Sequence, residues 1–147
     1  MLRVAFMYSF DRAKLADLVS LLSGRDFETR EFKEDIVEDS YNRLREGIKQ
    51  FINEHNFNQF VLAIKGAGYK SRKQLGSQMT LDFAYLLYLK LLNDSEIPHD
   101  QIKHHVQKWF VLSTLTGRYV GSPESVMSRD IRPVSYTHLT LPTILLV

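Results

Sequence analysis

The 147-residue chain has no cysteine. Disulfides and thiolate metal sites are therefore excluded, and the absence agrees with a cytosolic location. It also lacks a long hydrophobic run: the most apolar stretch, residues 81–92, is broken by Asp82 and Lys90 and is too short to span a bilayer. The first residues contain neither an extended apolar core nor a small-residue cleavage site, so no signal peptide is expected. Charge of one sign is not in excess either. A net charge of +2 gives no general argument for nucleic acid. No run of β-branched residues alternates with polar ones for long enough to make a strand. Enzymatic signatures are missing as well. There is no nucleophile elbow and no evident acid–base pair of carboxylates. His99, His104 and His105 lack the i, i+4 spacing that turns two imidazoles toward one metal.

What is present has a helical period. Leu15, Leu18, Val19 and Leu22 form a stripe, and Gly24 follows where a left-handed cap favours glycine. A longer helix carries Ile36, Tyr41, Leu44, Ile48, Phe51 and Ile52, with Asp35, Glu38 and Asp39 in its first turns, where the helix dipole favours acids. Phe57, Phe60, Val61 and Ile64 mark a third helix, which ends at Gly66-Ala67-Gly68. Residues 77–93 are apolar on most faces, as expected for a helix at the centre of a bundle. Pro98 opens a fifth helix with Ile102, Val106, Trp109, Phe110 and Leu112, closed near Gly117. Ser122-Pro123-Glu124 opens a sixth, with Ser as N-cap and Pro at the first helical position. The expected fold is all-α, an irregular bundle of about five or six helices with Trp109 and the 81–92 helix at its core.

The segment Gly66-Ala67-Gly68-Tyr69-Lys70-Ser71 resembles half of a phosphate-binding loop. It fails as one, because Tyr69 replaces a required glycine and a helix, not a strand, precedes it. The same region has a different signature. Residues 55–81 contain no acid, while Lys65, Lys70, Arg72 and Lys73 gather around Tyr69. Such a patch suits a phosphate backbone, and a solvated loop face is the bland alternative. The acidic stretch 26–39 balances it, either within the fold or across an interface. Arg118, between a helix end and the Ser122 cap, has three possible partners: the carbonyls of the preceding helix, a carboxylate such as Glu124, or a phosphate. The candidate nucleic-acid contacts are thus Lys70, Arg72, Lys73 and Arg118; no catalytic, cofactor or metal-binding residue is expected.

Residues 133–147 stand apart from the rest. Val134 to Thr143 match, for ten consecutive residues, one translated frame of the transposon-end adapter used in tagmentation libraries. The expectation is a helical subdomain over residues 1–132 and an adapter-derived, non-native tail over 133–147.

Three stretches carry a family resemblance. They are residues 15–30, including Leu22-Ser23-Gly24-Arg25-Asp26; the run Phe83-Ala84-Tyr85-Leu86-Leu87-Tyr88-Leu89; and residues 109–125, with Trp109, Leu115-Thr116-Gly117-Arg118-Tyr119 and Ser122-Pro123-Glu124-Ser125. Together they resemble the helical part of the GmrSD-type restriction endonuclease N-terminal-domain family. Where that family more often has Arg-Gly-Lys, this chain has Arg12-Ala13-Lys14. The resemblance implies a fragment of a larger α/β-plus-α protein of the prokaryotic cytoplasm, which restricts foreign DNA bearing modified bases. It also implies an upstream ParB-like subdomain that uses a nucleotide, and a nuclease domain or partner chain with a divalent metal. The motifs of both are absent here, so this part is expected to be non-catalytic, without a cofactor of its own and without membrane contact. The alternative reading is a helical protein–protein interaction or regulatory module that does not touch nucleic acid.

Overall fold

The computed structural model describes residues 1–26 and 29–136. Among them are seven α-helices: α1 (Leu2–Phe10), α2 (Leu15–Leu22), α3 (Glu34–Phe51), α4 (Glu54–Gly66), α5 (Gln78–Leu92), α6 (His99–Leu115) and α7 (Pro123–Tyr136). A 3₁₀ turn, Arg72–Gln74, interrupts the α4–α5 loop, and the described residues contain no sheet, only an isolated bridge between Arg25 and Phe32. None of the described helices is long and apolar enough to cross a membrane. The fold is the all-α irregular bundle expected. Of the stretch 133–147, α7 includes the first four residues, and 137–147 lie outside the described residues.

At the centre is α5. Phe83, Ala84, Tyr85, Leu86, Leu87, Tyr88, Leu89 and Leu91 are all buried, which a helix apolar on most faces requires. It is covered by α1, α4, α6 and α7. Ser77 caps its start, its hydroxyl accepting from the Met79 amide at 3.2 Å, and Asn53 does the same for α4 through the Asn56 amide at 3.0 Å. Trp109 of α6 is fully buried beside α5, its ring stacked on Phe83 at 5.0 Å and 5.8 Å from the Tyr119 ring.

The helix absent from the sequence reading is α1. Its residues Val4 and Met7 join the α5-centred core, while Ala5 and Phe6 belong to a second core with Leu18, Leu21 and Leu44. A short helix buried on two sides shows no amphipathic period, so pattern alone passes it over. Its approach to α3 is close enough that a methyl group on Gly47 would overlap the Ala5 carbonyl oxygen.

Some phases shift. Tyr41 and Ile52, expected on the buried stripe of α3, are exposed, and the buried positions there are Ser40, Leu44 and Gly47. On α2 Val19 is exposed and Leu21 takes its place. Both helices lie in the outer layer, packing on α1 and on each other, so the buried strip is narrower than the apolar pattern. Gly24 adopts the left-handed backbone expected of it (φ 79°), and the Phe32 ring lies 2.7 Å from where a Cβ would stand.

Removing the stacked indole leaves a large cavity beside Phe83. Trp109→Ala should cost about 3–5 kcal/mol in chemical denaturation. Leu115→Ala, at an exposed position on the same helix, should stay within about 0.5 kcal/mol.

Candidate nucleic-acid interface

The α4–α5 connection folds back over α4 and α6. Ser71 and Gln74 form a reciprocal cap on the 3₁₀ turn, and the Gln74 Oε1 also accepts from the Lys70 amide at 2.7 Å. Tyr69 anchors the loop, edge-on to Phe110 at 4.8 Å. These contacts fix the backbone of residues 69–74 while leaving Lys70, Arg72 and Lys73 exposed.

Between this loop and α4 lies a groove of about 370 Å³. Phe57, Val61 and Ile64, spaced along one face of α4, form its floor with Leu75 and Leu81. Phe57 is 44% exposed there, although its edge packs on Tyr85 at 5.6 Å. Lys65, Lys70 and Arg72 stand at the rim. Lys73 belongs to the same turn without lining the groove.

A further cation arrives from α6. The Gln107 side chain donates to the Ala63 carbonyl at 2.8 Å and so ties α6 to the end of α4. That contact brings the Lys103 ammonium to 3.9 Å from the Cβ position of Gly66. Local sequence gives no sign of it, because the α4–α6 contact joins residues about forty positions apart. On the same helix His105 is held below the usual imidazole range, first by burial and then by the charges of His104 and Lys108. Among the described residues the ion pairs involve Arg3, Arg12, Lys33, Arg43, Lys49, Lys90 and Arg118. None involves Lys65, Lys70, Arg72, Lys73 or Lys103. Asp82, next in sequence to Leu81 of the groove, accepts from the Gln78 side chain at 3.0 Å.

Arg118 is placed differently. Its Nε and Nη2 donate to the two oxygens of Asp130, each at 2.7 Å, and the Tyr119 hydroxyl donates to the same carboxylate at 2.9 Å. The Arg118 and Asp130 side chains are only 12% and 4% exposed. The fork is therefore filled by a carboxylate, and Arg118 is a structural clamp between the α6–α7 turn and α7. The partner is not Glu124, which pairs with Arg3 at 2.7 Å. Burial, and next the adjacent carboxylate, push the Tyr119 hydroxyl far above its usual value, so it remains a donor. The guanidinium is also raised, chiefly by its hydrogen bond to Asp130. Lys70, Arg72 and Lys73 remain as the nucleic-acid candidates, and the fold adds Lys65 and Lys103 beside them.

Among the described residues there is no cluster of three or more His, Asp or Glu side chains placed to hold a metal ion. No family model, curated protein or solved structure matches the chain.

Removing one partner of a buried, bidentate pair strands the other charge. Asp130→Asn should therefore destabilise the protein by about 3–5 kcal/mol, read from the denaturation midpoint. The effect on the isolated α4–α5 loop should be nil: limited proteolysis at Lys70 and Arg72 under native conditions should keep its wild-type rate.

Proposed function

We propose that this chain is the helical, non-catalytic part of a modification-dependent DNA restriction protein of the GmrSD type, acting in a prokaryotic cytoplasm, and that its α4–α5 loop meets the DNA backbone. The observation that carries the reading is a set of cations, Lys65, Lys70, Arg72 and Lys73, without an ion pair among the described residues and on a segment without acids. Exposed cations at the end of α4 and on the loop after it are available to neutralise phosphates and release counterions. On this reading the nucleotide-using ParB-like subdomain and the metal-dependent nuclease are other parts of the parent protein or its partner chain. The helical part supports them and adds a sequence-independent grip on DNA.

A second reading is a protein–protein interaction module without nucleic-acid contact. It is favoured by the apolar floor beneath those cations, which a duplex backbone leaves uncovered.

Salt dependence separates the two. Duplex DNA binding should weaken steeply with salt. The change Lys70→Ala/Arg72→Ala/Lys73→Ala should lower the log–log slope by about 2–3, since each lost phosphate contact removes roughly 0.9. Arg118→Ala should lower stability and leave that slope alone, its fork being occupied by Asp130. An unchanged slope in the triple variant contradicts the DNA reading.

A further inference from the structure

The α4–α5 groove is formed in advance of any partner. The Gln74 side chain accepts from the Lys70 and Ser71 amides at 2.7 and 3.1 Å, and Tyr69 is held edge-on to Phe110 at 4.8 Å. The loop wall therefore needs little ordering on binding, which lowers the entropic cost of association. Along the other wall, Phe57, Val61 and Ile64 recur at i, i+4 and i+7 of α4. They cover about 10 Å of helix axis at 1.5 Å per residue, close to two helical turns.

The lining carries charge of one sign. It includes Lys65, Lys70 and Arg72 and no acid. Glu54 and Asp82 lie just beyond that stretch of chain, and with them residues 54–82 hold four Lys or Arg against two acids. Asp82 is engaged by the Gln78 side chain at 3.0 Å. Glu54 opens α4, eleven residues before Lys65, or about 16 Å along the axis. That is about two Debye lengths at physiological ionic strength, so Glu54 leaves the cations at the far end largely uncompensated.

Classes of occupant meet these features differently. A duplex leaves the apolar floor uncovered, and a lipid surface needs apolar side chains that project, not ones recessed behind a rim. Addition of a strand needs a sheet edge, and the described residues contain no sheet. An amphipathic helix suits the groove's length, its apolar floor and, where it bears acids, its cationic rim.

We propose that the α4–α5 groove docks a short acidic amphipathic helix of another protein. Its large apolar side chains lie against Phe57, Val61 and Leu75, and its carboxylates meet Lys65, Lys70 and Arg72 at the rim. The inference rests on the interaction-module reading and gives that partner its chemistry.

Fluorescence anisotropy of the full chain with synthetic helical peptides of about four turns tests it. The acidic probe carries Leu and Phe at i, i+4 and i+7, with Glu on the flanking positions. A second probe has Lys for each Glu, and a third has Ala for each apolar anchor. The acidic probe should bind with a dissociation constant on the order of 10 μM, and the other two at least about tenfold more weakly. In Lys70→Glu/Arg72→Glu the order of the first two should reverse, with circular dichroism unchanged because both side chains are exposed. Should that variant misfold, amide shifts of the wild-type chain replace it: the acidic probe should move resonances within residues 57–75 and spare α2. Equal binding of the Glu and Lys probes, or shifts confined to other elements, overturns the acidic partner and leaves the interaction-module reading standing. Binding of no probe up to about 1 mM also overturns the proposal. Duplex DNA or phosphatidylserine vesicles bound through Lys70 and Arg72 in that case overturn the interaction-module reading as well.

Discussion

The constraint on which the rest of the structure depends is that α5 has no polar face to give to solvent. Seven consecutive core positions, 83–89, with Leu91 following after Lys90, leave burial on every side as the sole stable arrangement. That demand sets α1, α4, α6 and α7 around it. Lys90 proves the rule at the rim, its ammonium reaching Asp11 at 2.6 Å as α5 ends. Helices α2 and α3 are left to pack on the far side of α1, where Phe6, Leu18, Leu21 and Leu44 make a smaller second core. The molecule is thus a helix-in-bundle core with an outer layer attached through one short, doubly buried helix.

This arrangement decides where charge goes. Polar groups inside are few and satisfied by specific partners: Asp130 accepts from Arg118 and Tyr119, and the Tyr85 hydroxyl donates to the Phe51 carbonyl at 2.8 Å. Burial pushes that Tyr85 hydroxyl up to about 12, so it keeps the proton it donates. The Trp109 indole N–H is the exception, buried without an acceptor, and the stacked Phe83 ring sets its place. Charges excluded from the core lie on the outside, unevenly along the chain. The first turns of α3 gather the acids Glu34, Asp35, Glu38 and Asp39, and the α4–α5 connection gathers the cations Lys70, Arg72 and Lys73. The function proposed for this chain follows from that segregation.

Much of the bundle is legible in the sequence because α2 to α6 carry apolar stripes and several helices carry a boundary signal, such as Gly24 after α2 or Ser122-Pro123 at the start of α7. Helix α1 is not, since burial on two sides erases its period. The cationic loop is legible because its residues are contiguous. The groove beneath it is only half so: Phe57 reads as core by its spacing, yet the loop never covers it. Long-range partners are the least legible. Glu124 is six residues from Arg118 and looks like its mate, but Arg3, 121 residues away, claims it, and Asp130 on the inner face of α7 takes the fork instead. Lys103 joins the cationic face only through a contact between α4 and α6 that no local pattern encodes.

Native-state hydrogen exchange tests the α5-centred account most directly. The amides of α5 and of the Trp109 turn of α6 should exchange last, through global unfolding, because exposing any of them uncovers the whole central core. Those of α2 and the N-terminal half of α3 should exchange earlier, through detachment of the outer layer at the second, smaller core. Protection in α2 and α3 equal to or greater than that in α5 would contradict the account, since the bundle would then be organised around α1 and α3 instead.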